Sequence, residues 1–399
     1  MDRKETIHAK ILQRIAAYED AARAIHAHPE TSNHEYFAQD VLTKLLSEDG
    51  FEVTKDVAGH PTGFTATYKS KKAGPVLVFL AEYDALKGIG HACGHNLFGA
   101  TSALAAVALK SVIDETGGEV RVYGTPGEEG GENGSAKGSF VREGFFKDVD
   151  AALCAHSSRA GYTLTPPTLA CAPVDIVFHG RASHAASAPE KGINALDAVI
   201  QVYNSINALR QHLTSDVRIH GIITDGGKAP NVVPDFAAAK FYLRAAKAAT
   251  LDAVYKKVEA IVAGAALATG ATGSMTPSQN RVDDTVITPS FDALYAEELK
   301  AFGFEAEKKE GQTAVDSSDV GNVSHVVPTI QPHLRISDTP IAAHSEAFKD
   351  AAISEKGLAS IALGAEVLAR TALRLIEEPR RLAAIKAEHA LRIASEANA

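Results

Sequence analysis

Val76-Leu77-Val78-Phe79-Leu80-Ala81 is an unbroken apolar run, opened by Gly74-Pro75 and closed by Glu82-Tyr83-Asp84. A strand with one solvated face alternates apolar and polar residues. A run with no polar position predicts a strand covered on both faces, as in an α/β sheet. Val120–Gly124 and Ala151–Ala155 have the same character, and each is followed by polar or charged residues. In open α/β sheets, ligands bind outside the carboxyl ends of the strands, so chemistry is expected at these three ends.

Working outward, residues 5–50 are expected to be helical, first through Ile7, Ile11, Ile15 and Ala16, then around Phe37–Leu46. A glycine-punctuated loop after Asp84 leads into an alanine-rich helix over Leu97–Asp114. Near residue 172 the pattern changes to a strand at Val174–His179, a helix at Ile193–Leu213, strands at Val217–Thr224 and Phe236–Leu243, and a helix at Leu251–Ala268. That order predicts a ferredoxin-like insert. The chain returns around Asp283–Pro289, with helices at Phe291–Phe302 and Ser354–Leu375 and a charged amphipathic helix over Glu378–Ala399. The expected division is a catalytic domain of residues 1–171 and 286–399 and an insert of residues 172–285.

With 45% hydrophobic and 22% charged residues, the composition is that of an ordinary globular protein. A net charge of −9 argues against nucleic acid or an anionic membrane as partner, since both require a basic surface. No apolar run approaches the ~18 residues of a spanning helix, and Met1–Thr6 has no signal-peptide core. Cys93, Cys154 and Cys171 are an odd count without scaffold spacing, so a reduced, cytoplasmic protein is expected.

Amide hydrolysis at neutral pH needs an activated water, a stabiliser for the tetrahedral oxyanion and a carboxylate to manage the proton. In Gly90-His91-Ala92-Cys93-Gly94-His95-Asn96, the His91 and His95 spacing resembles a helical zinc motif. The flanking glycines and the missing glutamate argue for a loop instead, in which Cys93 and His95 can converge on a metal. Glu128-Glu129-Gly130-Gly131, after Pro126-Gly127, suggests a rigid loop with one ligand and one general base. His156 ends the third strand. Strand periodicity makes Cys154 a rival ligand on the same face, although a small buried hydrophobe is the better reading. Asp316–Gly321 fits an Asx turn at least as well as a pocket role, and His325 and His333 are left unassigned.

Taken in order, Glu82-Tyr83-Asp84-Ala85-Leu86, Gly90–Asn96, Glu128–Gly131, His156, Gly180-x-x-x-His184-Ala185-Ala186, Asn231-Val232-Val233-Pro234 and His344-Ser345-Glu346 span nearly the whole chain. The series resembles the aminoacylase and glutamate-carboxypeptidase family of dinuclear metallohydrolases, metallopeptidase family twenty. Cys-Gly-His looks like its amidohydrolase branch. Asn96, where many members of that branch have Asp, brings the chain closer to aminobenzoyl-glutamate hydrolase and β-alanyl-lysine dipeptidase-like proteins.

The resemblance implies a phosphorylase/hydrolase-like α/β catalytic domain with a central mixed sheet, and an inserted ferredoxin-like lid and dimerisation domain. It implies two divalent ions per subunit (zinc first, with manganese, cobalt or nickel as alternatives) held by Cys93, His95, Glu129, His156 and His344. Glu128 would be the general base for a water bridging the ions, and Asp84 would orient a ligand. His184 would stabilise the oxyanion, often from the partner subunit of a homodimer. Asn231 and Arg244 would grip the carboxylate of an N-acyl amino acid, dipeptide or aminobenzoyl-glutamate-like substrate. Glu82 departs from the dipeptidase branches, which place a histidine ligand there. Two other classes stay open at this level: a metal-bearing homologue that binds without cleaving, and a mononuclear zinc or redox enzyme using Cys93 and Cys154.

Overall fold

Both faces of the Val76–Ala81 strand are covered, which accounts for its lack of polar positions. The computed structural model describes residues 2–396. In chain order the elements are α1 (Arg3–Ala27), α2 (Tyr36–Glu48), β1 (Glu52–Val57), β2 (His60–Lys69), β3 (Val76–Ala81), α3 (His95–Thr116), β4 (Glu119–Gly124), α4 (Ala136–Arg142), β5 (Ala151–Leu153) and β6 (His156–Ser158). There follow β7 (Ala170–His179), α5 (Ala195–Leu209), β8 (Arg218–Asp225), β9 (Phe236–Ala245), α6 (Ala248–Thr269) and β10 (Thr272–Pro277). The last group is α7 (Pro289–Lys300), α8 (Val320–Ser324), β11 (Thr329–Ile330), β12 (His333–Arg335), α9 (Glu346–Ala351), α10 (Glu355–Glu377) and α11 (Pro379–Glu396).

Two units result. One runs to Pro167 and resumes over Thr285–Ala314 and from Ser318 onward; the other comprises Thr168–Asp284 and Val315–Ser317.

The first unit is built on a mixed sheet in the order β1-β2-β4-β3-β5-β11, with β3, β4, β5 and β11 parallel and β1 and β2 antiparallel to their neighbours. Leu77, Phe79, Ala81, Val120 and Val122 belong to one apolar cluster with α1, α3 and α10. Val78, Leu80, Tyr123 and Ala152 belong to a second, with Phe140, Phe146, Val320 and Val323. Phe79 is fully buried, and truncating it to alanine is expected to cost about 3–5 kcal/mol. By length and composition α3 could cross a membrane, yet 89% of its most apolar window is buried inside the protein, between α1 and α10. Its small residues permit close packing: a Cβ on Gly99 would lie 2.7 Å from the Glu82 carbonyl oxygen, at the end of β3. The first unit thus presents the ends of β3, β4 and β5, the start of α3 and the short parallel pair β6–β12 for chemistry.

The second unit is an antiparallel sheet in the order β10-β7-β9-β8, with an apolar core shared with α5 and α6. Along β9, Ala237, Ala239, Phe241 and Leu243 are buried while Phe236, Lys240 and Tyr242 are exposed, the alternation of a half-solvated sheet. β8 is an edge strand whose Gly221–Thr224 segment is exposed. β10 completes the ferredoxin-like order. Thr272-Gly273-Ser274-Met275-Thr276-Pro277 has almost no apolar signal, because this strand is an edge with mostly solvated side chains.

Candidate metal centre

The Gly90–Asn96 segment is a loop until His95 begins α3, as its glycines require. Gly94 has φ 81°, and a Cβ there would lie 2.5 Å from Ser157 Oγ, so conformation and space both demand glycine. Asp84, just past β3, holds two elements of the site at once. Its Oδ1 lies 2.8 Å from His95 Nδ1, and its Oδ2 accepts the Glu129 backbone N–H at 2.9 Å. With the carboxylate at Nδ1, the imidazole carries its proton there and presents the Nε2 lone pair.

Donor atoms converge in three sets, each lying within 4.8 Å of one another: Cys93, His95 and His156; Cys93, Glu129 and His344; and Glu82, His95 and Glu128. Cys93 is common to the first two. Its Sγ is 3.5 Å from His156 Nε2, while His156 Nδ1 lies 2.8 Å from the Ser157 carbonyl oxygen. His344 Nε2 is 3.6 Å from Glu129 Oε2, on a backbone with φ 55° that its own N–H pins to the Ala92 carbonyl at 3.1 Å. His95 Nε2 and Glu129 Oε1 are buried without a hydrogen-bond partner. Such orphaned acceptors are costly in a dry interior, and a cation satisfies them. A thiolate shared by two sets of imidazole and carboxylate suits a pair of divalent transition ions.

The electrostatics point the same way. Burial, then the carboxylates of Glu82 and Glu129, push the Glu128 carboxyl well above its usual range. Burial opposes the charge of Asp84 as well, but His95 holds that carboxyl below its ordinary value. Burial and Glu129 raise the Cys93 thiol, a direction that a bound divalent ion reverses.

The loop carrying Glu128 and Glu129 is braced by residues 32–35. Ser32 Oγ donates to the Glu132 carbonyl at 3.0 Å, and Asn33 Nδ2 donates to the carbonyls of Glu132 and Asn133 at 2.9 Å each. The buried Glu35 accepts from Gly127 N at 3.0 Å and from Thr62 Oγ1 at 2.6 Å. Burial and the nearby charge of Asp84 push its carboxyl up to about 8 in spite of those donors.

The remaining sequence candidates fall elsewhere. Cys154 is fully buried in the second apolar cluster, with Sγ 3.5 Å from the Ile330 carbonyl, because β5 ends at Leu153 and strand periodicity stops applying. His91 is buried beside His26, with ring centroids 6.0 Å apart. His333 pairs in register with His156, and their rings are 5.1 Å apart. His184, Asn231 and Arg244 belong to the second unit. His184 is exposed, and its Nδ1 accepts the N–H groups of Ala186 and Ser187, both at 3.2 Å. Asn231 holds the neighbouring turn through its carbonyl, which accepts Ala185 N at 3.0 Å. Arg244 Nη1 donates to Ser317 Oγ at 2.9 Å, and its Nε lies 3.4 Å from His220 Nε2. Lys137 and Glu35 are buried close to the first unit's strand ends and had no motif to announce them, while Asp319, also buried, lies in the Asp316–Gly321 loop, whose sequence fits an Asx turn or a pocket role.

Residues 171–269 match a family model described as the peptidase dimerisation domain of M20 proteins. The human Xaa-Arg dipeptidase is 34% identical over 94% of this chain and 89% of its own length. The chain belongs to the M20 peptidase family. A p-aminobenzoyl-glutamate hydrolase polypeptide of Escherichia coli is 39% identical over 64% of this chain and 56% of its own. A solved structure described as a dinuclear metal-binding peptidase of the M20 family, from Bacillus subtilis, superposes with a TM-score of 0.62 at 19% identity, covering 95% of this chain and 100% of that one. As an M20 member the chain is a hydrolase of amide bonds, with the family's mixed α/β fold.

Proposed function

We propose that this M20 hydrolase cleaves the amide bond of small substrates that carry a free carboxylate: dipeptides, N-acyl amino acids or aminobenzoyl-glutamate-like compounds. The observation that carries the reading is the convergence of Cys93, His95, Glu129, His156 and His344 around a shared thiolate, with Glu128 beside them. The named relatives, a dipeptidase and an aminobenzoyl-glutamate hydrolase, support the substrate class.

Two divalent ions at this donor set, zinc by the softness of the thiolate, supply an activated water and charge stabilisation when bound. Glu128 takes the proton of the attacking water and returns it to the leaving amine. A carboxyl held above its usual range by burial suits both halves of that task. Asp84 fixes the His95 tautomer and the Glu129 backbone together. His184, whose Nδ1 is occupied by two backbone donors, keeps its proton on Nε2 and donates it to the oxyanion, from the partner subunit of a homodimer formed through the insert. Asn231 and Arg244 bind the substrate carboxylate, the guanidinium fork being suited to two-point recognition. We place the enzyme in a reducing cytoplasm.

The test is a panel of dipeptides, N-acyl amino acids and aminobenzoyl-glutamate, assayed with zinc, manganese, cobalt and nickel alongside metal analysis. Turnover confined to substrates with a free carboxylate and two ions per chain is the expected result. Binding without turnover across the panel would sink the reading.

A further inference from the structure

Lys137 is not used by the chemistry above, and it is completely buried. Its ammonium lies 2.7 Å from Glu82 Oε1, close enough for an ion pair though not aligned as a hydrogen bond, and 2.6 Å from Asp319 Oδ1. The Lys137 backbone N–H donates to Asp319 Oδ2 at 3.1 Å, and neither carboxylate is accessible to solvent. A dry interior penalises each of these charges, and one ammonium against two carboxylates leaves a negative surplus. As a mere staple between three chain segments the cluster would be poorly balanced.

The surplus has a direction. Glu82 Oε2 is turned away from Lys137 and lies 3.2 Å from His95 Nε2. Asp84 Oδ1 faces Nδ1 of that imidazole, so Nε2 is the ring atom turned toward the carboxylate oxygen. Neither atom has a hydrogen-bond partner, which excludes an aligned proton shared between them. A cation where these two orphaned atoms converge, 3.2 Å apart, would satisfy both. Two ligands with bonds of about 2.1 Å at an angle of about 100° stand apart by this same distance. Resting on the metal-centre reading, we propose that Glu82 is a further carboxylate of that centre, ligating the ion held by His95, and that Lys137, anchored by Asp319, is the positioning residue that fixes it there.

The proposal is tested on the full-length chain by zinc competition titration and by the visible spectrum of the cobalt-loaded protein, for wild type, E82Q, K137M and the double variant K137M/D319N. Wild type should take up two ions. E82Q should retain one at wild-type affinity and bind the other about 10–100-fold more weakly, with an altered cobalt spectrum. K137M should shift the same ion in the same direction by a smaller factor, since it leaves the ligand in place but loose. Should K137M fail to fold, the double variant removes Lys137 together with the charge of its buried partner Asp319, and it should show the K137M effect. Two ions bound by E82Q and by the double variant with wild-type affinities and spectra would overturn the proposal. A wild-type chain that takes up no pair of ions is a different result, and it overturns the metal-centre reading itself.

Discussion

The two units hold their candidate residues in opposite ways. At the strand ends of the first unit, His95 is inaccessible, Glu128 and Glu129 are largely buried, and Asp84 clamps a ligand and a loop with one carboxylate. In the second unit His184 and Asn231 are exposed, and both accept from backbone N–H groups of the 184–187 turn. A metal centre tolerates little positional error, so its donors are fixed in advance by packing. Under the proposed function His184 and Asn231 receive the substrate, and solvent access fits that role. The contrast is not complete: His344, a candidate ligand, is half exposed, and Arg244 is partly buried.

The sharpest way to break this contrast is at Glu128. Glu128→Gln should lower kcat by about 10²–10⁴-fold while metal content stays at the wild-type level. A variant with near-normal kcat would remove Glu128 as the base. The exposed side is probed by His184→Ala, expected to lose about 10²–10³-fold in kcat without loss of metal. Mixed dimers of His184→Ala with Glu128→Gln should regain part of the activity, and confirmed heterodimers without recovery would count against action across subunits. A smaller effect is expected at Asp84. Asp84→Asn leaves the shape intact but offers His95 an amide, and should weaken metal affinity about 10–100-fold.

The mildest effect is on stability. The Glu35 carboxyl is pushed up to about 8, against an ordinary 4.5, so the folded protein binds this proton more tightly than the unfolded chain does. Its contribution is complete below about 4.5 and is lost as pH rises to about 8. In the metal-free protein, Glu35→Gln should therefore gain in Tm relative to wild type across that window. A gap between the two proteins that does not change with pH would refute the assignment.

Much of this was legible in the sequence because the architecture repeats a simple rule: apolar run, then polar end. Val76–Ala81 and Glu82–Asp84 announce a buried strand with chemistry behind it, and the glycines around Cys93 and Glu128 announce rigid loops. The insert was legible up to β10, whose solvated side chains give no periodic signal. Lys137 and its pairing with Asp319 were not legible, since a lysine among glycines and serines is ordinarily solvated. Their pairing joins segments 182 residues apart, which no local pattern encodes. Cys154 shows the limit of periodicity: the rule that set it beside His156 holds only while the strand continues.

That separation has a consequence for how the protein is made. On the growing chain, His156 emerges long before Asp319, before β11 and β12 can pair with β5 and β6, and before His344. At ~5–20 residues per second the interval between His156 and His344 lasts roughly 10–40 s. Through that interval the insert can fold as its own unit, while Lys137 has no Asp319 to face. The nascent first unit therefore carries a cysteine, two histidines and several carboxylates without the segments that close around them. The full candidate donor set exists only when the last third of the chain, with His344, arrives.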